Sequence, residues 1–349
     1  MMIVLMTPGA RVSAIGAVIR VCHARGLRPV PSHGSQRTVI GIIDADKSTD
    51  LSDIAALPEV EQVSPVSASF KLVSREFRDE PTVVQVGRVR IGGPEFVVMA
   101  GPCSVEDPEQ IDACAQHVAD CGGRILRGGA YKPRSSPYSF QGHGERGLEM
   151  LTAAGRRAGL PTVTEVMHPD LVETVARYAD ILQIGARNVQ NYALLEAVGH
   201  VRKPVLLKRG LMTTIEELLM AAEYILAGGN PQVILCERGI RTFETATRNT
   251  LDISAVPVIK SQSHLPVIID PSHAAGKREF VPALTLASLA AGADGVIVEM
   301  HPVPEKAYSD GRQSLDFPGF ASLMDSLRPL GEALGRPIAP AVNTTEASV

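Results

Sequence analysis

The stretch Pro204–Gly239, PVLLKRGLMTTIEELLMAAEYILAGGNPQVILCERG, decides the fold of this 349-residue chain. PVLLKRG and QVILCERG are short apolar runs that end in charge, and both read as strands. Between them Thr213–Ala227, TTIEELLMAAEYILA, sets its apolar residues at helical spacing. The result is strand, helix, strand.

Outward from this unit the same texture repeats from Glu95 onward. The other runs are FVVMAG, ILRGG, TVTEV, ILQIG, PVIIDPSH and GVIVEMH, each followed by a polar loop and a helical stretch. Together with PVLLKRG and QVILCERG they make eight strand–helix units, the number that closes a (β/α)8 TIM barrel. A doubly wound open sheet alternates in the same way, so the strand ends must decide. They carry Cys103, Arg127, Glu165, Arg187, Lys208 with Arg209, Glu237 with Arg238, Asp270 with His273, and Glu299 with His301. Charges and metal-type ligands at nearly every strand end suit the mouth of a barrel, whereas an open sheet concentrates them at a switch point. No G-x-G-x-x-G follows a strand, which lowers the dinucleotide alternative further.

The first 70 residues have a pattern of their own. MIVLM reads as a strand, Arg11 to Arg25 as a helix, two strands flank SHGSQ with TVIGIID the second, a brief helix lies near Ser52, and VEQVSPV closes the set. That βαββαβ order predicts a small ferredoxin-like domain over residues 1–70. Residues 71–94 follow as a charged, proline-bearing linker and a barrel-closing hairpin turning at Gly87 and Arg88, with the barrel over 95–335. The composition of 336–349 predicts a disordered tail.

Composition excludes several classes of function. The net charge is -4 and no Lys/Arg-rich run stands out, so neither a nucleic-acid footprint nor a polybasic membrane patch is expected. No apolar run approaches the roughly 18 residues of a membrane span, and no basic segment precedes the apolar start, so neither a membrane protein nor a signal peptide is expected. Five cysteines without framework spacing suit a reducing compartment, and the expected location is cytoplasmic.

Two sets of side chains gather at the expected barrel mouth. The cations Arg127, Lys132, Arg134, Arg187, Lys208 and Arg238 would repel one another there, and the pattern asks for an anion to offset them. Guanidinium forks suit phosphate and carboxylate oxygens. Any one of the six alone is an ordinary solvated surface residue; six at the strand ends of one barrel are not. The second set, Cys103, His273, Glu299 and Asp310, mixes a thiolate, an imidazole and two carboxylates. Such a set suits one divalent transition metal of the Mn, Fe, Co or Zn class better than a closed structural zinc cage. Each also has a plainer reading: Cys103 as a small buried hydrophobe, His273 as a loop histidine, Asp310 as a turn residue. Glu165 is open among pairing with the cations, polarising a water and neutralising charge. Asp270 is open between orienting His273 and holding a substrate hydroxyl.

The segments AGPCSVE, LRGGAYKPRSSPYSFQG, QIGARNVQN, PVLLKRG, ILCERGIRTFE, DPSHAAGKR and VEMHPVPEKAYSDGRQSL resemble the 3-deoxy-D-arabino-heptulosonate 7-phosphate (DAHP) synthases, in particular the subgroup with a ferredoxin-like domain in front of the barrel. The resemblance runs in order from about Met2 to Leu327. It implies the first step of the shikimate pathway toward aromatic amino acids: phosphoenolpyruvate, erythrose 4-phosphate and water give DAHP and phosphate. In that chemistry C3 of phosphoenolpyruvate attacks the aldehyde carbon, water adds at C2, and phosphate leaves by carbon–oxygen cleavage.

The resemblance also implies site roles. Cys103, His273, Glu299 and Asp310 would bind the metal. Arg127, Lys132, Ala186, Arg187, Lys208, Arg238 and His273 would hold phosphoenolpyruvate. Lys132, Pro133, Arg134, Ser135, Asp270 and Asp310 would receive erythrose 4-phosphate, with Arg134 and Ser135 on its phosphate. Lys132, Glu165 and His273 would act in catalysis, Lys132 by protonating the new alkoxide and Glu165 by assisting the attack on C2. A homotetramer and an aromatic amino-acid effector at the front domain, commonly tyrosine, are implied as well. Ser32 keeps a possible effector contact, while Pro29 and Pro31 interrupt the relatives' effector strand and Val30 replaces a frequent polar contact; a purely structural module is the other reading. The rival activity is 3-deoxy-D-manno-octulosonate 8-phosphate synthase, which takes arabinose 5-phosphate. KPRSS and the front domain favour the shorter sugar.

Overall fold

The computed structural model of the protein describes residues 1–34, 37–66, 69–132, 136 and 138–340. The chain divides into two compact units, Met1–Thr82 with Ser261–His264, and Val83–Lys260 with Leu265–Val349. The boundary therefore follows Thr82, not residue 70. The reason is that 71–82 is no free linker: Leu72, Val73 and Phe77 are buried, Arg75 N donates to Gln262 O at 3.0 Å, and Thr82 N donates to His264 O at 2.7 Å.

The first unit runs β1 (Met2–Met6), α1 (Val12–Ala24), β2 (Pro29–His33), β3 (Thr38–Ile42), α2 (Ser52–Ala55) and β4 (Val60–Pro65). Its antiparallel sheet has the order β2-β3-β1-β4, the ferredoxin-like arrangement expected from βαββαβ. Ala14, Ile15, Val18 and Cys22 on α1 pack on Val4, Met6, Ile40 and Ile42. β2 is an edge strand, which is where Pro29 and Pro31 can sit without removing a shared ladder bond.

The second unit opens with the hairpin β5 (Val84–Val86) and β6 (Val89–Ile91), turning at Gly87 and Arg88. Eight parallel strands follow: β7 (Val97–Gly101), β8 (Ile125–Arg127), β9 (Thr162–Val166), β10 (Ile181–Ile184), β11 (Val205–Lys208), β12 (Val233–Glu237), β13 (Val267–Ile269) and β14 (Gly295–Glu299). They close in chain order, β14 returning to β7, and every run singled out in the sequence is one of them. The helices between them are α3 (Pro108–Asp120), α4 (Glu145–Ala158), α5 (Val172–Tyr178), α6 (Tyr192–Gly199), α7 (Ile215–Ala227), α8 (Ala255–Gln262), α9 (Pro271–Ala275) and α10 (Val281–Ala290), with α11 (Phe317–Ala333) last. Helix α7 starts where the sequence supplies a capping box, Thr214 and Glu217 each satisfying the other's backbone N–H.

The barrel interior is filled from below. Val84, Val86, Val89 and Ile91 of the hairpin form one buried cluster with Val97, Ile125, Val163, Ile181, Leu206, Ile234, Ile268 and Ile297, which lie toward the beginnings of the strands. The hairpin is a stopper for that end. Residues 336–340 are not a loose tail, because Ile338 and Ala339 are buried and Phe96 N donates to Pro337 O at 3.0 Å. The rest of the expected tail, 341–349, lies outside the described residues. Among the described residues no helix is long and apolar enough to cross a membrane.

Candidate active site

Strand alternation builds the site. Residues two apart share a face, so each strand that sends an apolar side chain into the barrel core sends its next inward residue to the mouth. Ile125 is followed by Arg127, Val163 by Glu165, Leu206 by Lys208, Cys236 by Arg238, Ile268 by Asp270 and Ile297 by Glu299. The neighbours Arg209 and Glu237 fall on the other phase. They pair with each other, Arg209 Nη1 lying 2.9 Å from Glu237 Oε2 and 2.8 Å from Asp252 Oδ2. Burial raises the pKa of Glu237, with Arg209 opposing. His301 is also occupied elsewhere: its Nε2 lies 3.3 Å from Glu106 Oε2, and Glu106 Oε1 accepts from Tyr308 N at 2.8 Å. These strand-end charges hold the scaffold.

Cys103, Glu299 and Asp310 converge, with one donor atom of each within 4.8 Å of the others. The Cys103 thiol donates to Asp310 Oδ2 at 3.2 Å. Burial, and then the Glu299 carboxylate, push the thiol up to about 12. Glu299 is itself buried, but His273 and Arg127 outweigh that burial and hold its carboxyl at about 2. Asp310 adopts a left-handed φ of 53°, which Asp tolerates better than most residues. The ring of His273 is fastened by Asp270, whose Oδ2 faces Nδ1 at 2.7 Å and whose Oδ1 accepts from His273 N at 2.9 Å. With Nδ1 directed to Asp270, Nε2 is the ring nitrogen turned toward the other candidate ligands, 3.4 Å from Glu299 Oε1. A thiol, two carboxylates and an oriented imidazole fit a divalent transition metal. Of the two readings open for Asp270, the structure gives the orienting one its geometry. Its carboxyl lies well below the usual range, because His273 and Lys208 overcome the burial that would raise it.

The cations separate into two groups. Arg127 donates to Glu299 Oε1 at 2.7 Å, and Lys208 contacts Asp270 Oδ2, so the protein itself offsets these two. The expectation that a ligand must offset all six is corrected to that extent. Lys132 folds back to donate to Cys103 O at 2.9 Å and Sγ at 3.0 Å. Gly129 makes room for it, since a Cβ there would stand 2.8 Å from Lys132 Cδ and 2.7 Å from Cys103 O. Burial pulls the Lys132 ammonium down, yet the Cys103 sulfur and the Glu165 and Glu299 carboxylates outweigh it and keep its pKa above the usual value.

Arg187 and Arg238 face a cavity of about 480 Å³ that is also lined by Lys132, Glu165, Ala186, His273 and Asp310. Burial lowers the pKa of Arg238, and its Nη1 is buried without a hydrogen-bond partner among the described residues. A guanidinium left in that state fits an anion. Glu165 reaches the cavity because position 185 is glycine: a Cβ there would lie 2.0 Å from its Oε1. Pro133, Arg134 and Ser135 lie outside the described residues. Sequence reasoning missed Arg241, Arg248 and Asn249, which also line the cavity from the segment after β12. Only the density of charge in ERGIRTFETATRN could have pointed to them.

Comparison with known proteins is consistent along the whole chain. A family model described as the DAHP synthetase I family matches residues 72–333, and one described as the DAHP synthase ferredoxin-like domain matches residues 2–68. The phospho-2-dehydro-3-deoxyheptonate aldolase of Thermotoga maritima is 53% identical over 334 residues, covering 96% of this chain and 99% of its own. The crystal structure of a DAHP synthase from the same organism superposes with a TM-score of 0.77 at 52% identity, over 96% of this chain and 98% of that one. A 2-dehydro-3-deoxyphosphooctonate aldolase of Acidithiobacillus ferrooxidans is 34% identical over 62% of this chain and 82% of its own.

Proposed function

The chain belongs to the DAHP synthetase I family and carries the family's ferredoxin-like domain, and from that premise we propose which of its residues perform the chemistry. The activity is that of a DAHP synthase, joining phosphoenolpyruvate to erythrose 4-phosphate with release of phosphate.

The observation that carries the assignment of residues is that Asp310, whose carboxylate converges with the Cys103 and Glu299 donors, lines one cavity with Arg238, whose buried Nη1 has no hydrogen-bond partner among the described residues. Cys103, His273, Glu299 and Asp310 hold one divalent ion of the Mn, Fe, Co or Zn class. When bound, such an ion supplies Lewis-acid polarisation of a carbonyl oxygen. Arg187 and Arg238 take the phosphate and carboxylate oxygens of phosphoenolpyruvate, with Ala186 and Lys132 beside them. Arg127 and Lys208 act from beneath through their carboxylate partners. Pro133, Arg134 and Ser135 receive erythrose 4-phosphate together with Asp310, and Asp270 keeps the imidazole of His273 in register. Lys132, protonated and next to Cys103, gives its proton to the alkoxide oxygen formed when the carbon–carbon bond closes. Glu165 draws a proton from the water that adds at C2.

Phosphate release measured with erythrose 4-phosphate and with arabinose 5-phosphate tests the substrate; preference for the latter overturns it. Loss of activity to a chelator and its return with added metal test the ion. A homotetramer and a cytoplasmic location belong to the same reading, the first checked by light scattering and the second by fractionation. For an aromatic effector, the first unit contains a cavity of about 380 Å³ lined by Ser32, Arg37, Phe77 and Arg78. Titrating tyrosine, phenylalanine and tryptophan against activity tests it, and no response to any leaves that unit a structural module.

A further inference from the structure

The segment between β12 and α8 carries the dipeptide Arg248–Asn249, which holds the backbone of His273 and the side chain of Asp310 and reaches Glu299 through Gln313. Asn249 N donates to Ala274 O at 2.8 Å, Asn249 Nδ2 to His273 O at 3.1 Å, and Arg248 N to Ala275 O at 3.1 Å. The short helix bearing His273 is thereby held over its last three residues. The guanidinium then turns to the other side of the site, where Nη1 donates to Asp310 Oδ1 at 3.2 Å and to Gln313 Oε1 at 2.9 Å. Gln313, itself buried, passes its Nε2 to Glu299 Oε2 at 2.6 Å.

The chemistry gives this chain a fixed polarity. A guanidinium only donates, so it draws the oxygen end of the Gln313 amide, and the amide must then present its NH₂ end to Glu299, which only accepts. Without Arg248 the amide could flip and set its oxygen against the carboxylate. Asp310 is constrained in the same way: Arg248 takes Oδ1, leaving Oδ2 toward Cys103. The left-handed backbone at Asp310 makes an external hold more useful, because a conformation of that kind persists only where its surroundings fix it.

We propose that Arg248 and Gln313 are positioning residues for the metal site, Arg248 fixing Asp310 directly and Glu299 through Gln313. The inference rests on the reading that Cys103, His273, Glu299 and Asp310 hold a metal, and its test separates the two.

Metal-free full-length protein is titrated with Co(II) while the thiolate-to-cobalt charge-transfer band and the cobalt d–d bands are recorded. Wild type gives a charge-transfer band that Cys103→Ser abolishes. Gln313→Leu weakens Co(II) binding about 10–100-fold, as loss of a group that orients a ligand does, and alters the d–d envelope. Arg248→Met weakens it about tenfold, and Arg248→Lys falls between, since one ammonium can reach Asp310 but cannot also hold the amide in its fork. The Arg248 side chain is 40% exposed, so its variants carry the test even if Gln313→Leu fails to fold. Affinities within about twofold of wild type with superimposable spectra overturn the brace alone, a change far below that of an orienting group. A wild-type chain with no thiolate band overturns the metal site, and the brace with it.

Discussion

Lys132 and Arg238 are both buried cations at the barrel mouth, yet their surroundings assign them different work. Lys132 has the Cys103 carbonyl and sulfur to donate to, whereas Arg238 keeps a buried Nη1 with no hydrogen-bond partner among the described residues. Lys132→Ala is therefore expected to lower kcat by about 10²–10⁴, the usual contribution of a general acid, while metal binding persists; a near-normal rate would remove Lys132 from the proton transfer. Arg238→Ala is expected to raise KM for phosphoenolpyruvate with little loss of thermal stability, because it removes a buried Nη1 that has no hydrogen-bond partner among the described residues. A large fall in melting temperature with an unchanged KM would show instead that Arg238 is structural. At this scale much of the site was legible from sequence, and parity along the strands was the missing rule. Lys208 and Arg209 look alike in PVLLKRG, but only Lys208 is in phase with inward-facing Leu206. The brace of Arg248 and Gln313 was not legible, since an amide and a guanidinium far apart in the chain give no signal until the barrel brings them together.

Elements were easier to read than their borders. All eight strands and the βαββαβ order followed from apolar runs and punctuation, because a parallel barrel strand is buried on both faces and stands out as a continuous apolar run. The segment 71–82 misled because charge and a proline mark a linker only when nothing else satisfies the backbone, and here residues from 262 and 264 do. The pair Arg209 and Glu237 shows what the outward phase of β11 and β12 contributes: it ties the strand ends to the loop bearing Asp252. Arg209→Met leaves Glu237 buried without its cation and is expected to cost about 3–5 kcal/mol. Urea denaturation measures this, and a loss below about 1 kcal/mol, the level of an exposed pair, would contradict it.

The whole molecule is organised so that the first unit is discontinuous in sequence, taking Ser261–His264 from the second half of the chain. The ring of His264 is 5% exposed, between Thr82 Oγ1 at 2.8 Å and Leu72 O at 2.7 Å. Burial pushes its pKa down to about 4. Between the ordinary histidine value near 6.5 and that figure, the unfolded chain takes up a proton that the folded one refuses, so stability falls as pH falls through this window, by about 3 kcal/mol in all. Denaturant midpoints at pH 7 and pH 4.5 should differ by less in His264→Gln than in wild type; an equal difference in the two chains would refute the assignment. At the opposite end of the barrel from the mouth, the hairpin of residues 84–91 has a kinetic consequence. A vessel stoppered at its base has a single doorway, and what sits deepest must go in first. The ligand seated on buried Arg238 must enter before its partner, and the two then leave joined in one product beside the freed phosphate, so initial rates should show an ordered addition of the two substrates, and patterns symmetric between them would mean a second way in.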